Sequence, residues 1–184
     1  MSDPQKYRFK ITVIGDGQVG KTSLIQKFTH NSFQKDYVKT LGAQFSKFDK
    51  VIDGDETRLI FWDIAGQNDF RFLLPVFYRE SNAAIIVYSL EENELGKRSF
   101  EHVINWYENT KKFCGEIPVI LFGNKVDLIE EDDIDNSEVH DFVDKNGFLG
   151  YYLTSAKTGK RVHDAFNAII NELYYKSKAL SETQ

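Results

Sequence analysis

Gly15-Asp16-Gly17-Gln18-Val19-Gly20-Lys21-Thr22 sets two glycines five positions apart, followed directly by a lysine and a hydroxyl. That spacing suits the wrapping of a phosphate chain. Consecutive backbone N–H groups can curl around phosphate oxygens, and a helix opening at Lys21 would add its positive end. The phosphate-binding set is Gly15, Gly17, Gln18, Val19, Gly20, Lys21, Thr22 and Ser23, in which Lys21 bridges the outer two phosphates and the Thr22 hydroxyl ligates Mg²⁺. Further along, Asp63-Ile64-Ala65-Gly66-Gln67 closes the apolar run Leu59–Trp62. An aspartate leaving a buried strand beside such a cradle can hold the metal through water, Gly66 can offer its amide to a terminal phosphate, and Gln67 can orient a nucleophilic water. By itself this second pattern is an ordinary strand-terminal turn; after a phosphate cradle it is a catalytic element.

Asn124-Lys125-Val126-Asp127 reads a base. The Asp127 carboxylate can accept from the N1–H and exocyclic amine of guanine, whereas adenine offers neither, and a site built for a hydrogen bond rejects the analogue lacking it by on the order of 10⁴. Lys125 can lay its methylene stem across the purine ring. Ser155-Ala156-Lys157 would bring the Ala156 amide to guanine O6. The four histidines, His30, His102, His140 and His163, show no spacing of a metal or catalytic set and are expected at the surface.

These residues need strands that end where they sit. Phe9–Ile14, Phe45–Ile52, Thr57–Asp63, Ala83–Ser89, Val119–Phe122 and Tyr151–Thr154 are the candidate strands, the first and the last three of them apolar runs of strand length. Asp53-Gly54-Asp55-Glu56 makes a four-residue hairpin connection between the second and third of them. Helical spacing follows at residues 23–28, 97–113, 137–146 and 160–178. Alternation of this kind predicts an α/β fold of three layers, a six-stranded, mostly parallel sheet with one antiparallel edge strand and about five helices. Residues 1–178 form one domain, and 179–184 form a flexible tail.

The chain has 184 residues, 41% hydrophobic and 14% aromatic, with 3 prolines and one cysteine, Cys114. That is ample material for one core and excludes an internal disulfide framework. With 23 basic and 28 acidic residues, net charge −5 and no basic stripe, nucleic acid is excluded as a main partner. Five acids between Glu130 and Asp135 read as a solvated loop and helix start. No run reaches the roughly 18 apolar residues of a spanning helix, and the start lacks a signal peptide, so a cytoplasmic monomer is expected.

From residue 8 to about 176 the sequence resembles a small GTPase of the Ras superfamily, a phosphate-loop NTPase fold. The resemblance implies GTP/GDP and Mg²⁺ as ligands. It implies Phe33 packed on the guanine, Tyr37 over the phosphates, and Thr40 closing on Mg²⁺ and the γ-phosphate. Catalytic roles then fall to Gln67, Lys21 and Thr40, and metal ligation to Thr22, Thr40 and Asp63. Residues 32–42 and 64–79 become the two switch segments, ordered by the γ-phosphate. The Rab branch is most resembled, through Leu41-Gly42-Ala43-Gln44-Phe45, Trp62–Gln67 and Phe77-Tyr78-Arg79. Phe45, Trp62 and Phe77 match that branch's effector-facing aromatic triad, with core packing as the competing reading.

The partners implied are a guanine nucleotide exchange factor, a GTPase-activating protein, and effectors contacting residues 32–45 and 62–79. No arginine lies in the first switch segment, so an arginine supplied in trans, worth about 10³ to 10⁵ in rate, is implied. Three features depart from the Rab pattern. The end Lys178–Gln184 has no cysteine for a prenyl group, and no glycine follows Met1. Membrane contact is therefore expected only through partners, as in unlipidated septation-signalling or archaeal Rab-like GTPases. Ile64 and Asn68 replace a usual threonine and glutamate, and Gln18 stands where Rab has glycine. With Gly17, Thr40 and Gln67 intact, slow GTP hydrolysis is expected. The alternatives are a GTP-bound recruitment module with negligible hydrolysis and a phosphate-loop kinase.

Overall fold

The computed structural model describes residues 5–31, 42–65, 74–130 and 137–183. In chain order the elements are β1 (Lys6–Ile14), α1 (Lys21–His30), β2 (Ala43–Ile52), β3 (Asp55–Ile64), α2 (Leu74–Tyr78), β4 (Ala83–Ser89), α3 (Glu94–Glu101), α4 (Val103–Cys114), β5 (Val119–Asn124), α5 (Ser137–Lys145), β6 (Tyr151–Thr154) and α6 (Val162–Glu182). A 3₁₀ turn, Val126–Leu128, follows β5. The six strands form one sheet in the order β2-β3-β1-β4-β5-β6. Only β2 and β3 run antiparallel; β1 with β3, β1 with β4, β4 with β5 and β5 with β6 are parallel. The expected sheet is present, and among the described residues the helices number five when α3 and α4 are taken as one broken helix.

Alternation along the central strands assigns each helix its layer. On β4, Ala83, Ile85 and Val87 face a core shared with Leu24, Phe28, Phe166, Ile169 and Ile170 of α1 and α6. Ala84, Ile86 and Tyr88 face the other layer, with Tyr78, Val103, Trp106, Val139 and Val143. All seven residues of β4 are buried, the signature of a strand covered on both faces. The first core is aromatic at its centre: Phe28 stacks on Phe166 at 4.5 Å, and Phe61 and Phe122 each meet Phe166 at 5.4 Å.

Three differences from the sequence reading matter for the packing. The hairpin connection is two residues, Asp53 and Gly54, because Asp55 already pairs with Ile52. Its carboxylate is held there by the Gln5 N–H (2.9 Å), the Tyr174 hydroxyl (2.7 Å) and the Lys178 ammonium (3.3 Å). The same contacts carry α6 past residue 178 to Glu182, so most of the segment expected as a tail is helical. The helix expected over 97–113 is broken at His102, whose N–H turns back to the Arg98 and Phe100 carbonyls.

Candidate functional site

Sheet order reverses beside β1, and in open α/β sheets ligands bind at the strand carboxyl ends at such a point. The loop from Gly15 to Gly20 occupies that position and runs directly into α1. No side chain caps α1, and its N-cap Gly20 is left-handed, with φ 102°. A helix N-terminus of this kind, entered from a glycine loop, is suited to an anionic ligand. A Cβ on Gly20 would stand 2.3 Å from the Asn124 amide nitrogen, and one on Gly15 would stand 2.1 Å from the Val87 carbonyl. The loop is thus packed against β4 and Asn124 too closely for a side chain at either position. Gln18, where the Rab pattern has glycine, also adopts positive φ, 67°.

Lys21 is 6% exposed, and its ammonium donates to the carbonyls of Gly15 (2.9 Å) and Asp16 (2.7 Å). Burial pushes its pKa down to about 8, against the opposing pull of Asp63 and Asp16. A buried cation whose hydrogen-bond partners are loop carbonyls suits an incoming anion. Next to it the Thr22 hydroxyl donates to Oδ2 of Asp63, which is 3% exposed at the end of β3. A hydroxyl and a carboxylate meeting at a phosphate cradle form a hard oxygen donor set that fits Mg²⁺.

Asn124, 1% exposed, ties this loop to the base-reading segments. Its amide donates to the Val19 carbonyl at 2.9 Å, and its Oδ1 accepts from the Thr154 hydroxyl (3.3 Å) and the Ala156 N–H (3.2 Å). The Ala156 amide, expected at a base carbonyl, is therefore engaged within the chain. Asp127 accepts from the Ser155 hydroxyl at 2.5 Å and pairs with Lys157 at 3.6 Å, leaving its side chain 13% exposed. Lys125 sits at φ 71° and contacts the Glu91 carboxylate, which also accepts from Ser89 at 2.9 Å. A non-glycine residue held in the left-handed region marks a segment whose surroundings over-determine it.

The structure thus brings together Gly15–Ser23, Asp63, Asn124, Lys125, Asp127, Ser155, Ala156 and Lys157. Phe33, Tyr37, Thr40, Gly66 and Gln67, with Asn68 and residues 131–136, lie outside the described residues. Phe45, Trp62 and Phe77 form one row, with 6.1 Å between successive ring centroids. Phe45 is 59% exposed, while the other two are half-buried. The row is a surface feature anchored at its Phe77 end in the core.

Two contacts were not foreseen. One is Glu91 on Lys125. The other concerns a histidine assigned to the surface: His102 is half-buried, and its Nδ1 lies 2.7 Å from the Asp16 carboxylate. The available signal was a histidine and a tryptophan four apart on one helix, with an acid in the phosphate loop. His30, His140 and His163 are exposed as expected.

A phosphate loop whose neighbouring strand ends carry the Asn124–Asp127 and Ser155–Lys157 segments has the arrangement of a guanine-nucleotide hydrolase. The Ras family model matches residues 10–175, and the chain belongs to the Ras family. It is similar to Ras-related protein Rab-21 of Bos taurus, 38% identical over 161 residues, covering 87% of this chain and 70% of the relative. Rab-21 of Homo sapiens is 37% identical over 161 residues, at 87% and 69%. Ras-related protein Rab11A of Lotus japonicus is 33% identical over 183 residues, at 97% and 79%. The chain is a GTP hydrolase on the Rab-like side of that family. Among the described residues no helix is long and apolar enough to cross a membrane.

Proposed function

We propose that this chain is a nucleotide-dependent switch that holds GTP or GDP with Mg²⁺, hydrolyses GTP slowly, and serves signalling or trafficking through residues 32–45 and 62–79. The observation that carries the reading is Lys21, a buried ammonium on the carbonyls of its own loop beside the Thr22–Asp63 pair. When GTP enters, the Lys21 ammonium and the amides from Gly15 to Ser23 take the charge of the phosphate chain. Asp127 selects the base, Lys125 covers it, and Ser155 and Lys157 hold Asp127 in place. Phe33 and Tyr37 close over base and phosphates. Thr22 and Asp63, joined by Thr40, are the residues that would hold Mg²⁺, whose bound charge offsets that developing on the phosphoryl oxygens.

Little covalent chemistry is asked of the protein. Gln67 orients the attacking water, Gly66 donates to the terminal phosphate, and the phosphoryl group passes to water. Loss of that group releases residues 32–42 and 64–79, so exchange factors, accelerating proteins and effectors can read the state. Phe45, Trp62 and Phe77 present the apolar part of that surface. Single-turnover phosphate release tests the assignment. Gln67→Leu should bind GTP as the parent does yet release almost no phosphate; release at the parent's rate refutes the role of Gln67. A parent that binds GTP but stays at the background rate, even with an accelerating protein, is a recruitment module instead.

A further inference from the structure

Asp16 is an acid placed inside a loop that receives a polyphosphate. The residue is 8% exposed, and both carboxylate oxygens and its carbonyl are engaged. Oδ1 accepts the Trp106 indole N–H at 2.9 Å, Oδ2 lies 2.7 Å from His102 Nδ1, and the backbone carbonyl accepts the Lys21 ammonium at 2.7 Å. A carboxylate brings no hydrogen to these contacts, so Nδ1 of His102 is the donor. His102 and Trp106 stand four apart, one helical turn, so both reach the same carboxylate from one face. His102 occupies the one-residue break between α3 and α4.

We infer that His102 and Trp106 are positioning residues for the phosphate loop, pairing the Asp16 carboxylate so that the loop keeps its cradle form and nucleotide stays bound. This rests on the guanine-nucleotide reading above. An unpaired carboxylate this close to the phosphates would repel them, and the loop carbonyl beneath Lys21 would lose its anchor. Residence time is therefore set partly from the α3–α4 junction, which takes no part in the chemistry. His102 donates from an atom bonded to Cγ, and an asparagine amide nitrogen occupies the same place, so His102→Asn preserves the contact that His102→Ala removes.

The test loads the full chain with fluorescent GDP and Mg²⁺ and follows release into excess unlabelled GDP. His102→Ala should release about tenfold faster, the worth of one hydrogen bond to a charged group. His102→Asn should return near the parent's rate, and Trp106→Phe, which keeps a ring but loses the N–H, should also release faster. In an Asp16→Asn background, His102→Ala should add little, because the charge it pairs is gone.

Unchanged release in both His102→Ala and Trp106→Phe overturns the inference, as does a His102→Asn that behaves like His102→Ala, or an equal effect in the Asp16→Asn background. If His102→Ala does not fold, His102→Asn and Trp106→Phe still decide. A parent that takes up no guanine nucleotide removes the reading beneath; a parent that binds it while the variants release normally removes this inference alone.

Discussion

Asn124 shows how one residue can join two halves of a site. Its three hydrogen bonds run to the phosphate loop, to β6 and to the loop after β6. Asn124→Ala leaves the buried Val19 carbonyl and Ala156 N–H without these partners. Unsatisfied buried groups carry their full desolvation penalty, so the substitution should cost about 2 to 4 kcal/mol in denaturant unfolding. A loss under about 0.5 kcal/mol, the level of ordinary surface changes, would show that the tie is replaceable. The N-K-x-D pattern reveals a base reader, but it does not show that its first residue spends its side chain on protein. Asp16 and His102 lie 86 positions apart, so the four-residue spacing of His102 and Trp106 does not by itself name the acid they meet.

Among the elements, α6 carries the largest share of the first core. Phe166 is fully buried and touches Phe28, Phe61 and Phe122. Phe166→Ala should destabilise by about 3 to 5 kcal/mol, measured by chemical denaturation, because the three surrounding rings cannot collapse into the vacancy. At its far end α6 is tied to the β2–β3 turn through Asp55. The Tyr174 hydroxyl first, then the Gln5 N–H, hold that carboxyl below its ordinary 3.8. A lowered carboxyl pKa means the unfolded chain binds more protons, so this contribution is complete above the ordinary carboxylate range and is lost as pH falls below it. Asp55→Asn should therefore lower the melting temperature at neutral pH and flatten its acid limb; an unaltered acid limb would assign the acid loss to other carboxylates. β1, β4, β5 and β6 were legible as apolar runs ended by polar residues, β2 and β3 through the turn between them, and β4, buried on both faces, was located to the residue. The break at His102 was not, since the amphipathic period continues through residues 97–113. Nor was the short turn, because Asp55 looks like a loop residue until Tyr174 and Lys178 arrive from the other end of the chain.

For the molecule as a whole, ligand and fold are linked by mass action. Anything that binds only the folded state stabilises it, by about 2.7 kcal/mol at one hundred times its dissociation constant. GDP with Mg²⁺ should raise the thermal midpoint, ATP with Mg²⁺ at equal concentration should not, and chelating the metal should shrink the GDP effect. Equal protection by ATP would overturn base selection by Asp127. The two tryptophans divide the molecule in another way. Trp106 donates to the loop at Asp16, while Trp62 lies between Phe45 and Phe77 with the Lys10 ammonium 4.5 Å from its ring. The chain thus carries two native fluorophores, one sensing the ligand cradle and the other the aromatic surface. Trp106→Phe leaves Trp62 as the sole indole emitter, so its spectrum alone follows events at that surface without an attached dye.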